Sequence, residues 1–256
     1  MHSHPPRPRF AARYALRHLL ISAVVAGASA ALVFGLLYPP PLQNLLGVGH
    51  IFLLLLAVDV ACGPLLTLIL ASPAKSVRER WLDFSLIGLV QLAALLYGLH
   101  SLWLARPVVL GFETDRLVVV TASEVQLEEL PQAPAGMRRL PWWGQLRVST
   151  RQPTDSNEFM RSVEVGLKGI SPTMRPGWWL PWDSAQPAMQ AKAKPVTELL
   201  QRRPQAASVL QAAIAQTGLG ADELRYLPLT SGKVKEWVAL LDARLNIVGY
   251  APVDGF

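Results

Sequence analysis

Three long apolar stretches dominate the first 105 positions of this chain. Between His18 and Ala105 the acidic and basic residues are Asp59, Lys75, Arg78, Glu79, Arg80 and Asp83, and nothing else. The apolar runs cover about 18–37, 50–70 and 82–105. Each holds about 20 residues or more, which at about 1.5 Å per residue crosses a hydrocarbon core of about 30 Å. Proline closes the first run at Tyr38-Pro39-Pro40-Pro41 and the second at Ser72-Pro73, because it lacks the N–H that would continue a helix. Trp81 and Trp103 bracket the third, where interfacial aromatic anchors belong.

Charge then sets an expected topology. Arg7, Arg9, Arg13 and Arg17 precede the first run, and Lys75, Arg78 and Arg80 lie between the second and third. The segment between the first and second runs has no Lys or Arg. The positive-inside rule therefore puts 1–17 and the second loop in the cytoplasm, and 106–256 outside. An Arg-rich start followed by Leu19–Gly27 and Ala28-Ser29-Ala30 also fits a cleavable signal peptide. The apolar run continues to Leu37, which favours an uncleaved span. The tail is outside on either reading.

The formal net charge of +6 points to topology rather than to nucleic acid, since the excess sits in those basic segments. No basic stripe with interleaved aromatics accompanies it. Cys62 is the single cysteine, so no disulfide forms within the chain. The tail has no histidine and no cysteine, which removes most nucleophile–base and metal schemes. Gly-rich phosphate loops and a nucleophile elbow are also missing. The expectation is a non-enzyme without cofactor or metal.

Within the spans, two features suggest contact with a partner. Ala23, Gly27, Ala31 and Gly35 recur every fourth position and form one small-residue helix face. That face either packs in the chain's own bundle or receives another helix. Asp59 is a carboxylate near the middle of the second span, which costs several kcal/mol unless it is neutral, paired or hydrated. Gly63-Pro64 follows, where a kink is expected, and Thr67 and Gln91 are placed to satisfy freed polar groups. His18, His50 and His100 fall near span ends.

The tail reads as a small α+β domain. Strands are expected at Pro107–Phe112 and Arg116–Thr121, and a short helix over Glu124–Leu130. Helices follow at Pro195–Arg203 and Gln205–Thr217, with Gly218 as C-cap. Trp237–Leu241 and Ile247–Ala251 form an expected hairpin. The intervening Pro131–Asp183 is rich in Pro, Gly and Trp and reads as irregular. Its tryptophans, at Trp142-Trp143 and Trp178-Trp179, fill a core, rest on a membrane surface or grip a partner. The expected fold is thus a three-helix transmembrane bundle followed by a small α+β extracytoplasmic domain.

The run Asp59-Val60-Ala61-Cys62-Gly63-Pro64-Leu65-Leu66-Thr67-Leu68-Ile69 resembles the core motif of the TfpX/TfpZ type IV pilin accessory proteins. Further similar blocks are Asp83, Gln91–Gly98, Arg106-Pro107-Val108, Asp115-Arg116-Leu117, Leu227-Pro228-Leu229, Lys235-Glu236-Trp237 and Leu241-Asp242. The resemblance is strong over about residues 13–121 and patchy beyond, and the Pro/Trp-rich middle departs from it. It implies a chaperone-like factor of the bacterial inner membrane that promotes pilin stability and pilus assembly. The implied partners are the transmembrane helix and periplasmic head of a major type IV pilin. Ala23, Gly27, Ala31, Gly35, Asp59, Gly63, Pro64, Thr67 and Gln91 are then candidates for partner contact. The alternative is a membrane-anchored periplasmic enzyme or sensor acting on pili or the envelope. A sensor would need a cytoplasmic output domain, and a segment of 17 residues is too short for one. A transporter would need more intramembrane polar groups than one Asp and one Gln.

Overall fold

The computed structural model describes residues 7–256, so the first six residues of the basic segment lie outside the described residues. The chain divides into two compact units, Met1–Leu104 and Ala105–Phe256. The first is built on α1 (Arg7–Leu32), extended by a π-helical turn over Val33–Leu37. A single short turn, α2 (Leu42–Leu45), leads into α3 (Val48–Leu70), and α4 (Val77–Leu104) completes the unit. Among the described residues, Arg7–Leu37, Val48–Leu70 and Val77–Leu104 are the three helices long and apolar enough to cross a membrane. The first begins at Arg7 rather than at His18, so the described part of the basic segment is a helical extension of the span.

The packing is that of helices meant for lipid. The seam of the first helix is Ala26, Ser29, Val33 and Leu37, all buried at spacings of three or four. Large side chains point the other way: Val24 is 72% exposed, Leu54 68% and Leu89 64%. In water such a surface would drive aggregation; in hydrocarbon it costs nothing. Short polar ties close both ends. Arg7 donates to the Ile69 carbonyl at the end of α3 (3.1 Å), and the Arg80 guanidinium lies 5.5 Å from the Phe10 ring centroid. The two basic segments therefore share one end of the bundle. At the other end the Tyr38 hydroxyl donates to the Leu102 carbonyl at 2.8 Å.

The second unit is a mixed sheet with helices. Its elements are β1 (Pro107–Glu113), β2 (Arg116–Thr121), β3 (Leu146–Thr150), α5 (Ser156–Leu167), β4 (Trp179–Pro181), α6 (Gln186–Lys192), β5 (Lys194–Pro195), α7 (Val196–Arg202), α8 (Ala207–Thr217), β6 (Arg225–Ser231), β7 (Trp237–Leu241) and β8 (Ile247–Ala251). The sheet order is β4-β3-β1-β2-β6-β7-β8, with β5 added beside β6. β1 pairs antiparallel with β2 and parallel with β3, while β2 runs parallel to β6. One core gathers Val108, Val120, Val148, Met174 and Trp179. The other seats Leu199, Leu210 and Ile214 of α7 and α8 on Tyr226, Val238 and Leu240. Gly218 takes φ +72° and ends α8, and Asp242 closes the β7–β8 hairpin by accepting the backbone N–H groups of Arg244 and Asn246.

Two expectations need correction, and one strand went unrecognised. The short helix after β2 is a 3-10 turn over Leu127–Gln132, because Pro131 cannot continue an α-helical ladder. The central strand β6 was hidden by its proline. Pro228 fits because β5 pairs with Arg225 and Tyr226 and β2 pairs from Leu229 onward, leaving Pro228 in the gap between those neighbours. The segment 131–183 is also more regular than its composition suggests, since it holds β3, α5 and β4.

Helix α5 starts on a capping pattern that proline content obscures. Asp155 accepts the N–H of Glu158 at 2.8 Å, and Glu158 accepts that of Thr154 at 2.7 Å. Arg151 grips the same carboxylate through both terminal nitrogens, at 2.9 and 2.6 Å. The Arg151 bonds, then that of Thr154, hold the Glu158 carboxyl down to about 2 from an ordinary 4.5. A lowered acid stabilises the fold at pH above its unfolded value and loses that contribution as pH falls through the folded one. We expect the start of α5 to be fully held above about pH 4.5 and to fray progressively toward pH 2. Glu158→Gln should remove that acid transition, as read by amide hydrogen exchange of residues 156–160.

Candidate transmembrane contact site

The polar residues of the spans converge on one layer of the bundle. His18 of α1 reaches both other long helices: its Nδ1 lies 2.6 Å from Thr67 Oγ1 on α3, and its Nε2 lies 2.7 Å from Gln91 Oε1 on α4. Gln91 in turn donates through Nε2 to the Asp59 backbone carbonyl at 2.7 Å. An amide oxygen only accepts, so His18 Nε2 donates to Gln91 Oε1. The Thr67 hydroxyl can accept or donate and so pairs with Nδ1 on the other side of the ring.

Gly63 is what lets Gln91 cross. A Cβ at Gly63 would lie 2.2 Å from Gln91 Nε2 and 2.4 Å from Oε1. The missing side chain is therefore the slot through which α4 touches the backbone of α3. Pro64 follows directly, yet α3 runs unbroken from Val48 to Leu70. Thr67, one turn on, is buried at 2% exposure.

Beside this layer lies a cavity of ≈ 180 Å³ between the three helices. It is lined largely by apolar side chains, among them Ile21, Val25, Phe52 and Leu92, with His18, Asp59 and Gln91 at its polar edge. The Asp59 Oδ1 atom is buried and has no hydrogen-bond partner among the described residues. An acceptor left open beside an apolar cavity is suited to a donor brought in by another molecule.

The small-residue face lies elsewhere. Ala23, Gly27, Ala31 and Gly35 are all exposed, and a Cβ at Gly27 or Gly35 would meet nothing within 4 Å. The bundle is packed through the neighbouring positions Ala26, Ser29 and Val33 instead. Nine sequence-derived candidates thus fall into two groups: Asp59, Gly63, Pro64, Thr67 and Gln91 around the polar layer, and four small residues on the outer face. The residue that composition undervalued is His18, which reads as an interfacial ring in sequence and is the hub of the relay in space. Its spacing to Thr67 and Gln91 carries no local signal. His50 and His100 are exposed, and the described residues contain no group of His, Cys, Asp and Glu able to hold a metal ion.

In the soluble unit, the tryptophan pairs have separate fates. Trp178 and Trp179 are buried, the latter donating Nε1–H to the Thr173 carbonyl at 2.8 Å. Trp142 and Trp143 are 68% and 62% exposed. Helix α5 buries none of its residues, and Phe159, Met160, Val163 and Leu167 present an exposed apolar side.

Gly63→Ala should push the flexible end of the Gln91 side chain out of its slot and break its hydrogen bonds to Asp59 and His18, destabilising the bundle by about 1 kcal/mol. In a Gln91→Ala background the same substitution should cost little, because the contested space is empty. His18→Ala should cost about 1 kcal/mol, since interhelical hydrogen bonds in membranes average about 0.6 kcal/mol each. Thermal unfolding of the detergent-solubilised chain distinguishes these outcomes; equal stability of Gly63→Ala and wild type would contradict the close contact.

Comparison with known proteins points to fimbrial assembly. Residues 6–47 match a family model described as fimbrial assembly protein FimB. The fimbrial assembly proteins of serogroup I and of serogroup E1 from Dichelobacter nodosus are each 35% identical over 248 residues, which is 96% of this chain and 96% of each relative. The fimbrial assembly protein of serogroups C1 and C2 from the same organism is 44% identical over 124 residues, 48% of this chain and 95% of that one. No solved structure matches. With end-to-end kinship of this degree, and a bundle of three membrane-length helices ahead of an α+β domain, the chain belongs to the fimbrial assembly protein family.

Proposed function

We propose that this protein is a non-catalytic accessory factor of type IV pilus biogenesis, of the TfpX/TfpZ kind, that holds a major pilin in the inner membrane and promotes its stability and assembly. The observation that carries the reading is the uncovered small-residue face of the first span in a chain whose relatives are fimbrial assembly proteins. Small residues at every fourth position let a second helix approach closely, and packing of that kind drives helix association where lipid removes the hydrophobic incentive. A pilin anchored by one hydrophobic helix is a fitting client. The cavity beside Asp59 offers the same client a polar contact, and the exposed side of α5 offers its soluble head an apolar one.

Orientation follows from charge. Arg7, Arg9, Arg13, Arg17 and the Lys75–Arg80 loop lie on the cytoplasmic side, and residues 106–256 in the periplasm. Co-location of both basic segments at one end of the bundle supports this arrangement.

Gly27→Leu should fill the outer face and reduce pilin recovered with the affinity-purified protein by at least several-fold, with the bundle itself intact because a Cβ at Gly27 meets no side chain within 4 Å among the described residues. Asp59→Asn should lower pilin recovery if the open carboxylate oxygen takes a donor from the client. Removal of the whole protein should deplete pilin both in the membrane and in sheared surface fibres. A normal membrane pool with few fibres would instead identify a delivery role. Unchanged pilin in both pools, with no second copy of the gene present, would defeat the proposal.

A further inference from the structure

We propose that the loop carrying Trp142 and Trp143 is a second membrane anchor, a basic–aromatic tip through which the soluble domain rests on anionic lipid headgroups. The proposal is independent of the client and of which side of the membrane the domain occupies.

Sheet register carries the argument. The third span ends at Leu104 and β1 begins at Pro107. Two extended residues reach about 7 Å, about the depth of the headgroup layer on one side of a bilayer. The start of β1 is therefore tied to the interface by chain connectivity. β3 runs parallel to β1, with Val109 opposite Leu146 and Phe112 opposite Ser149. The loop entering β3 thus returns to the end of the sheet at which β1 starts. A direct contact confirms the level: Arg106 donates through Nη2 to the Pro141 carbonyl at 3.3 Å. Trp142 and Trp143 come next in the chain, exposed, and are held beside the residue that leaves the membrane.

The surrounding charges fit that location. No acidic residue occurs from Leu130 to Thr154, whereas Arg138, Arg139 and Arg147 are exposed there. β2 and β6 are parallel, with Val119 opposite Ser231, so the turn after β6 falls at the same end and adds the exposed Lys233 and Lys235. Glu128 and Glu236 are the exposed acids nearby in sequence. Tryptophan partitions to the headgroup level with its ring toward the acyl chains, and each cation near an anionic surface strengthens the attraction severalfold. α5, by contrast, follows the other end of β3.

The full chain reconstituted in vesicles tests this. With Cys62→Ser removing the native thiol, an environment-sensitive fluorophore is attached at Trp143→Cys or, as a control at the other end of β3, at Ser156→Cys, where the start of α5 is tied to Arg151. Neutral phosphatidylcholine vesicles are compared with vesicles containing phosphatidylglycerol. The expected result, without any pilin present, is blue-shifted emission at 143 that lipid-borne quenchers reduce, and aqueous emission at 156. The shift should be larger in the anionic vesicles and shrink with Arg138→Glu plus Arg139→Glu. Aqueous emission at 143 in both vesicles would overturn the proposal. So would shielding that arises only when pilin is co-reconstituted, which would make the loop a protein contact. A shift indifferent to lipid charge and to the double charge reversal would overturn the role given to anionic headgroups.

Discussion

Gln91 lies against the backbone of α3 because Gly63 has no side chain, and the transmembrane unit is organised around that contact. In hydrocarbon, apolar faces gain little from meeting each other, since lipid tails solvate them equally well. What distinguishes one arrangement of three apolar helices from another is close approach and the pairing of the few polar groups. The His18–Thr67–Gln91 relay ends on the Asp59 carbonyl and touches all three long helices in one layer. Slide any helix by one turn and a donor or acceptor is left in lipid at a cost of several kcal/mol. The relay therefore selects register, while the small residues of the seam permit the approach.

That division of labour leaves the outer surface free for other uses. The small residues that recur at every fourth position are not the ones that pack internally. Ala26, Ser29 and Val33 are buried, and Ala23, Gly27, Ala31 and Gly35 are exposed. A helix has room for both stripes because positions three and four apart fall on adjacent parts of its circumference. The soluble unit repeats the theme in a different solvent. Trp178 and Trp179 fill its core, while Trp142 and Trp143, of the same residue type, remain outside.

Much of the candidate site was legible residue by residue and illegible as a site. Asp59, Gly63, Pro64, Thr67 and Gln91 stand out because polar or helix-disturbing residues are costly in an apolar span. His18 does not stand out, because a histidine near a span boundary is comfortable without any partner. Its role depends on residues 49 and 73 positions away. Long-range pairing also hid β6, whose Pro228 argues against a central strand until the gap between β5 and β2 is known. The capping pattern of Asp155 and Glu158 was a local signal, masked by the proline and tryptophan content around it.

By itself the amino-acid sequence determined the three apolar spans, their proline and tryptophan borders, the charge asymmetry between loops, and an α+β tail. These are properties of composition and short-range periodicity, set by the thickness of hydrocarbon and by the backbone's need for N–H groups. The tertiary structure alone decided which small-residue stripe packs inside, which histidine joins the helices, and which tryptophan pair is exposed beside Arg106. Those outcomes depend on rotation about helix axes and on strand register. Both are fixed by contacts between residues far apart in the chain, which no local pattern encodes.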